Sequence, residues 1–251
     1  MKIGVVRNIA GNIEALKDAD RQFTAFGVDA RVCLGQIVGV YPFVDACVEY
    51  LINREYLALR RHEEDEFVSG CKFHGWSTTH LVDALRFARS RVSKQALEYL
   101  EALPLRCEIH GVAFESRANV KDGMLYDPDQ VKSALDLWPH PIVFHAAHFD
   151  PYVWRDDLTG TSLKIGQNEL ESGHRLLIST GGVGSRYQGS VDTRKPIAMV
   201  FDDEQMTVHL LQPMCDIQTI FSRLRQSEYP RHVLKALEGF EYEVWRTAEP
   251  S

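Results

Sequence analysis

Short apolar runs that end abruptly in polar turns set the rhythm of the first sixty residues. Ile3 to Val6 form the first, running straight into Arg7-Asn8-Ile9-Ala10-Gly11-Asn12. A run this short, bounded by a turn, predicts a buried strand, and Asn12 is placed to cap a helix. Ile13, Leu16, Phe23 and Phe26 then recur on one helical face, and Gly27 supplies a stop. Arg31–Leu34 predicts a second strand, closed by Gly35-Gln36-Ile37-Val38-Gly39. Phe43, Val44, Cys47 and Leu51 give the next helix its apolar stripe, and Tyr56–Leu59 predicts a third strand. The highly charged stretch Arg60-Arg61-His62-Glu63-Glu64-Asp65-Glu66 follows. Strand–helix–strand–helix–strand predicts a parallel sheet with crossover helices. In such folds the strand exits are where ligands bind, so Arg7–Gly11 is the first candidate for chemistry.

The second half changes texture. Thr78–Arg91 and Ser93–Leu103 predict two consecutive helices, with Ser93 as N-cap and Pro104 as stop. Cys107–Ile109, the His110-Gly111 turn and Val112–Phe114 predict a hairpin. A helix is expected at Asp129–Leu137 and a strand at Pro141–His145. Further strands are expected at Tyr152–Arg155, Leu163–Ile165, Leu176–Ser179, Ile197–Phe201 and Thr207–Leu211. Ile217–Leu224 and Pro230–Leu237 close the pattern as helices, with Gly239 expected to end the last. The expected organisation is one domain over residues 1–240, with a helical insertion near 73–103, C-terminal helices near 217–238 and a tail from 241.

Composition narrows the function classes. The 251 residues are 45% hydrophobic and 25% charged, proportions of a folded globule with enough chain for one sizeable core. A net charge of −7 without a Lys/Arg run gives no nucleic-acid-binding signature. No apolar run approaches the ~20 residues of a membrane span, and the apolar segment after Lys2 is too short for a signal-peptide core. Five scattered cysteines without a Cys-x-x-Cys pair disfavour disulfide and zinc-ribbon frameworks. The expected location is cytoplasmic.

The turn sequences resemble those of the calcineurin-like metallophosphoesterases, in particular the small bacterial and archaeal phosphodiesterase branch. The resemblance runs over about residues 1 to 240 and is carried by several segments. These are MKIGVV, Gly11-Asn12, CLGxIVG at Cys33–Gly39, ALEYLEALP at Ala96–Pro104, PIVF at Pro141–Phe144, GGVG at Gly181–Gly184, and the segment from Met206. It implies a four-layer α/β/β/α sandwich, a central double β-sheet flanked by helices. It also implies a dinuclear metal site built from Asp-x-His, Gly-Asp, Gly-Asn-His-Asp/Glu, a lone His and Gly-His-x-His, with two metals activating water at a phosphoryl group.

This chain keeps the frames of those motifs and replaces most of their ligands. Asp-x-His reads Asn8-Ile9-Ala10, and Gly-Asp reads Gly35-Gln36. Gly-Asn-His-Asp reads Arg60-Arg61-His62-Glu63, keeping only the His and an acid. The lone-His region, near Glu115–Asn119, has no His, and Gly-His-x-His reads His145-Ala146-Ala147-His148. Two carboxylates have become neutral amides, and Arg61 adds a positive charge where a dication would sit, which repels it. No cofactor is therefore expected. Any divalent metal (Mn, Zn or Fe) would need a non-standard site, for which His62 and His148 are the candidates.

The arginines suggest what the pocket retains. Arg7, Arg60, Arg61 and Arg117 bring guanidinium groups towards the strand exits, and a guanidinium presents a planar fork suited to phosphate. The expected ligand-binding set is Arg7, Asn8, Gln36, Arg60, Arg61, His62 and His148, with Arg7 at the rim and His62 as the catalytic candidate. The competing reading pairs Arg7, Arg60 and Arg61 with Glu63, Glu64, Asp65 and Glu66 as a solvated charged face. The functional expectation is a catalytically degenerate homologue that binds an anionic, phosphate-containing small molecule or a protein partner. The alternative is an active phosphodiesterase or phosphatase with a rebuilt or mononuclear site. Self-association into a homo-oligomer is a further expectation from the resemblance.

Overall fold

The computed structural model describes residues 1–70, 79–116, 128–146, 150–184 and 196–246, with only the backbone given at 128 and 240–246. The expected ligand positions His148 and Arg117 lie outside the described residues.

Two six-stranded mixed sheets stack face to face. The first is ordered β3-β2-β1-β11-β12-β9, from Leu57–Ala58, Ala30–Cys33, Lys2–Val6, Ala198–Asp202, Thr207–Leu211 and Gly166–Glu169. The second is ordered β4-β5-β6-β10-β7-β8, from Arg106–Ile109, Val112–Glu115, Ile142–His145, Leu176–Ser179, Tyr152–Arg155 and Gly160–Ser162. Each sheet contains a run of three parallel strands, β1-β2-β3 in one and β5-β6-β10 in the other, with antiparallel strands completing it.

Period-two alternation in β1 separates the two faces of the first sheet. Ile3 and Val5 point into the layer between the sheets, where they meet Val32, Leu34, Phe114, Phe144, Ile178, Met199 and Phe201. Phe114 stacks on Phe144 at 5.1 Å between centroids, and Phe144 meets Phe201 edge-on at 5.5 Å. Val6 points to the other face, against α1 (Ile13–Phe26) and α2 (Val44–Asn53). On the far side of the second sheet, α6 (Pro128–Asp136) packs Val131, Ala134 and Leu135 on Val143 and Leu177. A further cluster joins α4 (Thr79–Arg89), α7 (Ile217–Gln226) and α8 (Arg231–Arg246) around Val40 and Tyr41. The layers are α/β/β/α, as the turn sequences imply.

Caps fall where the sequence places them. Asn12 Oδ1 accepts the Ala15 N–H at 3.1 Å, Ser93 Oγ accepts that of Ala96 at 3.1 Å, and Gly27 ends α1 in the left-handed region. Two expectations, a strand at Leu163–Ile165 and a stop at Gly239, are not met, and one helix is unanticipated. Leu163–Ile165 is the connection between β8 and β9, and those two strands carry almost no apolar residues. The charged stretch after β3 is itself helical, forming α3 (His62–Val68) ahead of α5 (Lys94–Ala102). Gly239 does not stop α8, which continues to Arg246; a glycine inside a helix costs only about 1 kcal/mol.

Candidate functional site

The turns that leave β1, β2 and β3 meet the segments that leave β5, β6 and β10, so polar residues from both sheets gather at one end of the sandwich. The β1 turn is locked to the β2 turn by its backbone. Asn8, Ala10 and Gly11 donate to the carbonyls of Gly35, Gln36 and Ile37 at 3.0, 3.0 and 2.7 Å. Three non-glycine residues here, Asn8, Ala10 and Gln36, have φ of 50°, 55° and 58°. That left-handed conformation costs an L-residue about 1 kcal/mol or more and persists only where the surroundings impose it. Gly11, at φ 79°, lies so close to Tyr41 that a Cβ would fall 1.9 Å from the Tyr41 carbonyl oxygen.

The Gly181–Gly184 segment packs onto the β1 turn from the second sheet. Val183 and Gly184 donate to the carbonyls of Arg7 and Asn8 at 3.0 and 2.8 Å. A Cβ on Gly184 would lie 1.8 Å from Ile9 O, and one on Gly182 would meet the Asn8 side chain at 2.9 Å. Gly182 and Gly184 therefore allow close approach to the β1 turn, to which the Val183 and Gly184 amides are bonded.

Arg7 is buried, and its Nη1 donates to the Thr180 carbonyl at 3.3 Å across the sheets. It is buried, whereas the sequence places it at the rim; the alternation that sends Ile3 and Val5 inward sends Arg7 the same way. Arg60 turns away. Its N–H donates to Pro104 O, its Nη1 to Glu101 O at 2.7 Å, and its Nε lies 3.2 Å from Asp65. For Arg60 the solvated ion pair is what the structure contains.

Arg61 reaches from the exit of β3 to the exit of β6. It is 6% exposed, its Nη1 donates to Ala146 O at 2.7 Å, and its Nε lies 3.5 Å from Glu63 Oε2. The aliphatic stem rests on Gly35, where a Cβ would be 2.6 Å from Arg61 Cγ. The same Glu63 oxygen is 3.3 Å from Nδ1 of His62, whose side chain is 45% exposed at the start of α3. His145 is buried at the end of β6, in register with Glu115. Arg7, Asn8, Gln36, Arg61 and His62 are thus drawn to one end of the molecule.

Two residues matter that the charged stretch does not single out by composition. Glu64 is fully buried; its Oε1 accepts the N–H groups of Ile37 and Val38 at 2.7 and 3.2 Å, and its Oε2 those of Gln36 and Arg61 at 3.1 and 3.0 Å. One carboxylate therefore fastens the Gln36 turn to the Arg61 turn. Burial, reinforced by neighbouring Glu63, pushes its acid up to about 7 against the pull of these donors. Its sequence signal is its place as third residue of a helix, where an acid reaches back to the cap N–H. Thr180, also fully buried, carries the carbonyl that holds Arg7.

A dinuclear metal site does not fit these residues. Ala10 has no donor atom, Asn8 and Gln36 are neutral, and Arg61 places a buried guanidinium among them. Among the described residues, no group of three or more His, Cys, Asp or Glu side chains is placed to hold a metal ion. Among them, too, no helix is long and apolar enough to cross a membrane.

No protein-family model matches the chain. An uncharacterized protein of Methanocaldococcus jannaschii is 25% identical over 235 residues, 91% of this chain and 93% of that protein. A metallophosphoesterase from Sphaerobacter thermophilus matches in structure with a TM-score of 0.76 at 18% identity, covering 94% of this chain and 98% of that one. A hypothetical protein from Pyrococcus horikoshii matches with a TM-score of 0.70 at 19% identity, covering 94% and 97%. The resemblance carried by the turn sequences and the likeness of the solved structures agree: this chain has the calcineurin-like metallophosphoesterase fold.

Proposed function

We propose that this protein is a metallophosphoesterase-fold pseudoenzyme whose pocket binds a phosphate-containing anion. The observation that carries the reading is Arg61. Its guanidinium lies buried at the junction of the two sheets, so the pocket's fixed positive charge is a side chain. Arg7 supplies a second buried guanidinium from the neighbouring turn. Loss of carboxylates at Asn8 and Gln36 leaves the pocket less repulsive to an anion than an acid-lined one. No step through a metal is derived, because the donors present do not fit one.

Titration of the full chain with inorganic phosphate, nucleotides and sugar phosphates tests this reading. Saturable binding of at least one, lost in Arg61→Ala, is expected; binding of none, with that variant as stable as the parent, sinks it.

One observation favours a second reading, an active phosphoesterase with a rebuilt site. His62 and Glu63 form a pair at 3.3 Å with the imidazole half-exposed, an arrangement in which a carboxylate orients a proton donor. Turnover of a generic phosphodiester that disappears in His62→Ala would establish that reading over the first.

A further inference from the structure

The contact between Arg61 and Glu63 is incomplete. Glu63 is 6% exposed, and its Oε2 is buried without a hydrogen-bond partner. The Nε of Arg61 is likewise buried without one, although the two atoms are only 3.5 Å apart. A buried charged donor and acceptor that attract each other without closing a hydrogen bond hold unspent interaction energy on both sides. The rest of Arg61 is fixed, with its stem against Gly35 and its Nη1 on the Ala146 carbonyl. The Nε edge is therefore a buried donor position of the guanidinium that is open to another acceptor.

We propose that Glu63 is an internal competitor for the anion pocket: its carboxylate occupies the Nε side of Arg61, and a phosphate dianion binds by displacing it. This rests on the reading of the pocket as an anion site and adds its regulation. A phosphate oxygen entering on that side takes the Nε hydrogen bond that the carboxylate, 3.5 Å away, leaves unmade. His62 Nδ1, 3.3 Å from the same oxygen, is the group near enough to take up the displaced carboxylate. With the carboxylate present, an incoming dianion meets a like charge beside its cation, so the pocket selects strongly bound dianions over weak ones.

The test compares phosphate binding by the full-length protein and three single variants, with thermal unfolding recorded for each. Glu63→Gln keeps the shape and removes the charge. It is expected to bind inorganic phosphate about tenfold more tightly than the parent, the direction set by removing a like charge. Glu63→Asp, which keeps the charge, is expected to stay near the parent, and Arg61→Ala to lose binding. Equal affinity in the parent and Glu63→Gln overturns the competition while leaving the anion site standing. Absence of phosphate binding in both overturns the anion site as well. If the glutamine variant does not fold, the wild-type chain still decides. Phosphate must then move the nitrogen resonance of Arg61 Nε and the carboxyl carbon resonance of Glu63 together, and phosphate binding that leaves either unmoved contradicts the displacement.

Discussion

Four backbone N–H groups converge on the side chain of Glu64, which has no solvent exposure. Its acid titrates near 7, above the ordinary 4.5, with burial the main cause and Glu63 the second. A carboxyl group raised in the folded state contributes stability that is fully present below 4.5 and is lost as pH rises through about 7. Glu64→Gln is accordingly expected to flatten the dependence of unfolding free energy on pH across that window, measured by denaturant titration at several pH values. At the same scale, Gly184→Ala places a methyl group 1.8 Å from the Ile9 carbonyl oxygen, a contact that only backbone movement relieves. It should cost at least about 2 kcal/mol, read as a shift of the denaturation midpoint at constant slope. Ala at the exposed helical Gly239, where a Cβ meets nothing within 4 Å and φ is not positive, is the comparison that isolates the clash. The sequence placed Arg7, Asn8, Gln36, Arg61 and His62 at strand exits because each stands just after an apolar run. It put Arg7 at the rim and left Arg60 between the pocket and a surface ion pair, since a side chain's direction depends on which side of a strand end it leaves and on what packs there.

Among elements, Asp20 joins α1, β2 and α2. Its buried carboxylate accepts from Arg31 Nε at 2.6 Å, Arg54 Nε at 2.7 Å, Tyr50 Oη at 3.1 Å and Tyr56 Oη at 3.2 Å. Burial alone would raise its pKa, but hydrogen bonds from Arg31 and Arg54 outweigh it and hold the group below the usual carboxylate range. The sign is opposite to that of Glu64: stability is present above the unfolded carboxylate pKa and lost as acid protonates the folded group. Asp20→Asn should cost about 3 kcal/mol at neutral pH, because it leaves a largely buried Arg31 without its counter-charge. The same variant should show a shallower loss of stability between neutral and acid pH. Helices were legible where an apolar face repeats and a cap precedes it, as in α1 and α5. The strands β8 and β9 were not, because Gly160–Ser162 and Gly166–Glu169 carry polar, exposed residues and are held by ladder hydrogen bonds to β7 and β12. Leu163 packs against the intersheet core from the connection between them, which is why an apolar pair there read as a strand. The helix α3 was hidden for a related reason: its charges face the site and solvent, and Phe67 alone is its fully buried apolar residue.

For the whole molecule, the sandwich was legible only through the resemblance of the turn sequences; the strand pattern by itself gave the parallel trio β1-β2-β3 and the β4-β5 hairpin, but not the parallel pairing of β5, β6 and β10. The aromatic layer between the sheets was not, since the meeting of Phe114, Phe144 and Phe201 needs three strands from two sheets. Phe144→Ala should cost about 3–5 kcal/mol, the usual range for emptying an aromatic core site, in chemical denaturation. Nor does sequence alone reveal that Arg61 spans from the β3 exit to the β6 exit, bridging the sheets with an internal cation. In the function proposed above, this cation takes the place of a bound metal. Isothermal titration of Mn²⁺ into chelator-treated full-length protein tests it most directly. The account predicts no saturable heat and an unfolding temperature unchanged by the ion. Saturable binding of one or two ions per chain, with a raised unfolding temperature, would contradict it.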